Sequence, residues 1–175
     1  PECIGPEDLE DDSVRWEKLA RSLEKKDQDR SSSGRPSLHP ILIRSVDPID
    51  YMNPEPRSAK QLIWIKASGS LEQMGIKEDF GLHRAILSYA SDFSLMGTSL
   101  LPHAVSLLNP KLQPASLDHC IWFHEDFRVD EWLLYAMDSP RSSHARGLNR
   151  GSFFTRDGCL VASTIQEGLI RLRTD

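Results

Sequence analysis

Residues 160–172 alternate: one side carries Leu160, Ala162, Thr164, Gln166, Gly168, Ile170 and Leu172. A period of two is the signature of a half-buried strand. The stretch before it, "RGLNRGSFFT" at 146–155, also reads as a strand, and Asp157-Gly158 between the two is a hairpin signal. Earlier, "SLDHCIWFH" and "EWLLYAMDS" read as strands flanking a polar turn at 125–130. "ILIRSVD" and "QLIWIKASG" read as two more, separated by a Pro-rich turn at 53–57. The pattern changes at 77–97, where Leu82, Ile86, Tyr89 and Phe93 recur at steps of four, three and four. That spacing predicts one long helix with this stripe buried. The order is thus two strands, a long helix, then three or four long strands, which predicts an α+β fold with a helix packed on an antiparallel sheet.

The first residues differ from the rest. Trp16, Leu19, Ala20 and Leu23 predict a short, peripheral amphipathic helix over 13–26, with Ser13 as N-cap. "DQDRSSSGRPSLHP" at 27–40 has the composition of a mobile linker. The domain reading is therefore 1–37, amphipathic helix and flexible linker, followed by 38–175, the globular domain.

With 175 residues, 39% of them hydrophobic, the chain can bury one real core. No apolar run approaches the roughly 20 residues of a membrane helix, and no leader pattern follows Pro1. A soluble, intracellular protein is expected, and the three cysteines, Cys3, Cys120 and Cys159, fit a reducing compartment. Residues 1–30 carry a net −4 of the total −5, so the globular part is nearly neutral and unsuited to nucleic acid. Within it, 140–156 holds Arg141, Arg146, Arg150 and Arg156 and no acid, either a solvated hairpin face or an attraction for phosphates.

Several chemistries lack their motif: there is no GxSxG, GxGxxG or P-loop. His119 and His124, an odd number of residues apart in one predicted strand, face opposite sides and make no metal pair. Cys120 is expected to be a buried structural thiol rather than a nucleophile. Three polar residues resist a bland assignment. Gln166 interrupts an apolar row, and an unpaired buried amide costs roughly 1–3 kcal/mol, so it needs a partner. Asp92 falls late in the predicted helix, where a carboxylate opposes the dipole unless it caps the following segment. Ser116 enters a strand, where its hydroxyl ordinarily bonds to backbone.

"YASD", "SLDHCIWFH", "EWLLYAMDSP", "SSHARGLNRGSFFTRDGCLVAS" and "STIQEGLIR" together resemble the C-terminal half of acyl-CoA thioesterase II enzymes, over roughly residues 38–173. Residues 1–35 lie outside the resemblance and look like a lengthened inter-domain linker. The resemblance implies a hot-dog fold, in which a curved antiparallel β-sheet wraps a long helix. It implies hydrolysis of fatty acyl-CoA to fatty acid and CoA, without metal or cofactor. Carried over by motif, the catalytic residues are Asp92, Ser116 and Gln166; the better-known members have Thr where this chain has Ser116. Together the three would hold one water, with Asp92 as its base. Arg141, Arg146 and Arg150 become candidates for the CoA phosphates.

A full family chain has a second hot-dog domain, so the expected partners are that N-terminal half or a second copy of this chain, besides acyl-CoA itself. The compartment would be peroxisomal or cytoplasmic. The alternative function is a non-catalytic hot-dog module for assembly or acyl binding. A dehydratase reading would want a catalytic His on the long helix; His83 lies there, but the motif around it does not match.

Overall fold

The computed structural model describes residues 1–24, 40–76 and 79–173. The predicted linker at 27–40 lies outside the described residues except for Pro40, and so does the boundary placed at 37/38.

Helix α1 (Asp12–Glu24) is followed by strands β1 (Ile41–Ser45) and β2 (Lys60–Ala67), then by helix α2 (Phe80–Ala90) and a 3-10 helix, Met96–His103. Five strands complete the chain: β3 (Leu112–Ser116), β4 (Cys120–Phe123), β5 (Leu133–Ser143), β6 (Arg146–Phe154) and β7 (Leu160–Leu172). They form one antiparallel sheet in the order β1-β2-β5-β6-β7-β3, with β4 also on β7. The β6–β7 hairpin turns at Asp157-Gly158 as predicted, with Gly158 at φ +90°, where a Cβ is disfavoured.

The concave face of the sheet holds the core. Ile63, Ile65, Leu133, Tyr135 and Phe153 from the strands pack with Leu87 and Ala90 of α2. Gly151 allows this closeness, since a Cβ there would lie 2.2 Å from the Tyr135 ring.

The helix departs from expectation in length and phase. It spans 11 residues, not the 21 of 77–97, and its buried line is His83, Leu87 and Ala90 rather than Leu82, Ile86, Tyr89 and Phe93. Tyr89 is 55% exposed and meets Phe93 edge-on with ring centroids 5.0 Å apart. Apolarity misjudged the phase because His83 is buried by a hydrogen bond: its Nδ1 accepts from the Val129 N–H at 3.1 Å. Small Ala90 and Ser91 then lie at the core, where the helix must come close. Ser94 adopts φ +65°, which no helix continues, and the 3-10 helix starts beyond it.

Helix α1 starts one residue before the predicted cap. Asp11, not Ser13, takes the capping role, its Oδ1 accepting from the Ser13 N–H at 2.9 Å. Asp12 fastens the helix to β1 by accepting from the Ser45 N–H at 3.1 Å and the Ser45 hydroxyl at 2.6 Å.

The predicted strand 116–124 is two strands with an irregularity between them. Ser116 pairs with Gly168 and Cys120 with Ile165, so residues 117–119 oppose only 166–167. One extra residue on an edge strand is a β-bulge. Asp118 fills the gap in the ladder, its carboxylate accepting the Glu167 N–H at 2.7 Å. Cys120 is exposed rather than buried, because among the described residues β4 pairs with β7 alone and Cys120 points away from the core.

Candidate active site

Gln166 sits on the concave side of β7 and is fully buried. Its Nε2 donates to Asp92 Oδ1 at 2.5 Å and to Ser116 Oγ at 3.1 Å. The structure therefore brings Asp92, Ser116 and Gln166 into direct contact, where sequence reasoning placed a water among them. Both amide protons of Gln166 are committed, so a water held here meets Asp92 and Ser116 first.

Each side chain arrives by a separate device. Asp92 lies just past the end of α2, and the 3-10 helix that follows has no side-chain cap, so Asp92 does not cap it. Ser116 is the last residue of β3, immediately before the bulge. Gln166 stands between Thr164 and Gly168 on the inward row of β7. Gly168 leaves space for Met96, whose Sδ would lie 2.8 Å from an added Cβ.

Beneath the cluster, Tyr135 donates its hydroxyl proton to the Ser91 carbonyl at 2.8 Å and meets Thr164 Oγ1 at 2.9 Å. Burial pushes the Tyr135 hydroxyl far above its ordinary pKa, and the charge of Asp92 adds to that. It therefore remains a neutral donor that fixes the residue preceding Asp92.

Two residues escaped sequence reasoning. His119 Nε2 lies 2.8 Å from Ser91 Oγ, and its Nδ1 is 4.0 Å from Asp92 Oδ1. Ser91 Oγ already donates to the Ser88 carbonyl at 2.9 Å, so the shared proton belongs to His119 Nε2. In the neutral ring this leaves the Nδ1 lone pair, buried and without a hydrogen-bond partner among the described residues, toward Asp92. Ser116 and His119 are an odd number of residues apart and would face opposite ways in a regular strand; the bulge lets both reach this site. The second is Asn149, the cross-strand neighbour of Gln166, fully buried, its Nδ2 donating to the Gly147 carbonyl at 3.2 Å. The signal was legible: Asn149 interrupts the inward row of β6 as Gln166 interrupts that of β7.

The arginines lie elsewhere. Arg146 and Arg150 occupy exposed positions of β6 that alternate with the buried inward row. Arg141 pairs across the sheet with Leu148, on that same outward side. Arg150 is bound to Asp138 through two contacts, at 3.1 and 2.5 Å, and Arg146 meets Glu167 at 3.5 Å. They do not converge with Gln166 in this chain. His124, bonded to Ser163 at 2.9 Å, likewise faces away from the site that holds His119. No group of three or more potential metal ligands occurs among the described residues.

The site is open to water in this chain. The Asp92 side chain is 57% exposed and Ser116 is exposed. Nearby, Leu117 and Trp122 on the β3–β4 edge are each 52% exposed.

The sequence family described as acyl-CoA thioesterase matches residues 52–169. The chain is 35% identical over 175 residues to acyl-coenzyme A thioesterase 8 of Mus musculus, covering 99% of this chain and 53% of that protein. It is 33% identical over 171 residues to acyl-CoA thioesterase 2 of Haemophilus influenzae, covering 98% of this chain and 57% of that protein. The crystal structure of an acyl-CoA thioesterase II from Mycobacterium marinum superposes with a TM-score of 0.69 at 32% identity, covering 99% of this chain and 56% of the other. The fold is thus the thioesterase hot-dog fold, and the likeness extends through residues 1–35, which sequence reasoning had left outside it. The chain spans about half the length of the curated relatives it matches.

Proposed function

Because the chain belongs to the acyl-CoA thioesterase family, we propose that it is a hot-dog unit that hydrolyses fatty acyl-CoA thioesters to fatty acid and CoA. The observation that carries this reading is the buried amide of Gln166 bonded at once to Asp92 and Ser116. A buried polar group that ties together two exposed ones has little value for a core and much for a reaction centre.

In this reading Asp92 is the general base. One of its oxygens is held by Gln166, and the other takes a proton from a water. The Ser116 hydroxyl accepts from Gln166, so its own proton is free to hold that water in place. The water oxygen attacks the thioester carbonyl carbon, and the tetrahedral intermediate collapses by breaking the C–S bond. The proton gained by Asp92 passes to the departing CoA sulfur, so the carboxylate is regenerated and nothing is covalently attached to the protein. Gln166 acts by alignment. The imidazole of His119, held by Ser91, stands beside Asp92 and helps to place it.

The open site and the β3–β4 edge, unpaired among the described residues and carrying exposed Leu117 and Trp122, support assembly with a second hot-dog unit, either the other half of a longer chain or another copy of this one. An exposed edge strand is a template for pairing, and a specific contact would bury above roughly 1,000 Å². Light scattering gives the assembly state, and released thiol reports hydrolysis across acyl lengths in the assembled protein. Thiol release that follows Asp92 supports the enzyme reading. Acyl-CoA binding without release in the intact assembly would assign the non-catalytic module instead.

A further inference from the structure

A cleft of about 470 Å³ is bounded by α1, β1, the 48–51 segment and residues 93–94. It is distinct from the Asp92–Ser116–Gln166 cluster, none of whose residues line it. Its walls are largely apolar, built from Trp16, Leu19, Ile43, Ile49 and Phe93. That volume falls within the roughly 300–1,000 Å³ of small-molecule sites. We infer that this cleft receives the acyl chain of the substrate, with α1 as the wall that limits its length.

Three observations converge on this assignment. The first is connection: Phe93 and Ser94, which line the cleft, directly follow Asp92 in the chain. An acyl group whose carbonyl is at Asp92 therefore starts beside two residues of the cleft wall. Ser94 holds φ +65°, an uncommon conformation for a residue with a Cβ, and such outliers concentrate at functional sites.

The second is charge. Asp11, Asp12 and Asp50 line the cleft against a single base, Arg15. Asp12 is already bonded to Ser45 and Arg15, and Asp50 to the N–H groups of Met52 and Asn53. Surplus negative charge repels the phosphates of CoA but has no quarrel with a neutral hydrocarbon. The two ends of the substrate are thereby sorted, CoA outward and chain inward.

The third is the make-up of α1. A peripheral helix gains little from presenting an aromatic to solvent, yet Trp16 is 45% exposed and lies 4.8 Å from Tyr51, ring to ring. Both rings line the cleft. A bound chain would cover what folding alone leaves exposed.

The inference rests on the thioesterase reading for the identity of its ligand, and the test separates the two. Fatty acid brominated along its chain, the product of the proposed reaction, is titrated against the assembled protein while tryptophan fluorescence is followed. Trp16→Phe identifies the share due to Trp16. Saturable quenching of that share, competed by the unbrominated acid, is expected. In parallel, Leu19→Phe with Ile49→Phe narrows the cleft. The ratio of kcat/KM for long over short acyl-CoA should fall at least about tenfold, the scale on which pockets discriminate methylenes. Unquenched Trp16 in a protein that hydrolyses long acyl-CoA, or an equal loss at all lengths, overturns the inference. Quenching without thiol release at any length keeps the cleft as a fatty-acyl site and refutes the thioesterase reading instead.

Discussion

Gln166 Nε2 lies 2.5 Å from Asp92 Oδ1, across 74 positions of sequence. The contact joins the middle of β7 to the end of α2, so the helix end and the inward face of the sheet meet at one carboxylate. Gln166→Leu removes both donated hydrogen bonds and puts an apolar residue of similar size in their place. Hydrolysis should fall about 10²-fold, the cost of a misplaced reacting group, with the circular dichroism spectrum unchanged. Gln166→Glu should be worse than Gln166→Leu, because it sets a second carboxylate against Asp92.

Ser116 accepts the second amide proton at 3.1 Å. Ser116→Thr keeps the oxygen and adds a methyl that limits its rotamers, so activity should stay within about threefold. Ser116→Ala should lose at least about tenfold, having nothing to hold the water. Steady-state kinetics of the two variants side by side distinguishes a needed hydroxyl from a needed shape.

These residues were legible for different reasons. Gln166 announced itself as an amide in an apolar row, and Asp92 as a carboxylate in an awkward place. His119 did not, because its direction depends on an extra residue at 117–119 that alternation cannot reveal. The sheet strands and the Asp157-Gly158 turn were readable from period-two patterning and turn chemistry. The helix was readable as an element but not in phase, since a hydrogen-bonded histidine is buried at 83 where an apolar residue was sought. The α1 contact with β1 was hidden too: it rests on the Asp12–Ser45 pair, a polar contact that hydrophobic spacing does not encode.

The arginines give a prediction against their first reading. Arg146 and Arg150 already meet Glu167 and Asp138 on the outer face. Exposed pairs of this kind are worth little, about 0–1 kcal/mol, so Arg146→Gln and Arg150→Gln should leave Tm nearly unchanged. They should also leave KM for acyl-CoA within about twofold, because both side chains lie away from Gln166. A KM rise confined to CoA substrates, and absent for short thioesters without CoA, would return the phosphates to this face.

Asp130 carries a stability prediction. Burial acts to raise its carboxyl pKa, but the Leu71 N–H at 2.9 Å and Arg128 at 2.9 Å outweigh that and hold it below the usual range. A folded-state value below the unfolded one stabilises the fold at pH above about 4, and that contribution is lost as pH falls through the folded value. Asp130→Asn should therefore cost about 1–3 kcal/mol at pH 7, with the difference from the parent shrinking at acid pH. Urea unfolding at pH 7 and near pH 3 measures both.

In the proposed mechanism Asp92 activates the attacking water. The most direct measurement is the rate of thiol release from a long-chain acyl-CoA by Asp92→Asn in the assembled protein, compared with the parent. The substitution keeps the shape and the contact with Gln166 while removing the base. A fall in kcat of about 10²–10⁴ is expected, with assembly and circular dichroism preserved. Activity within tenfold of the parent would contradict it.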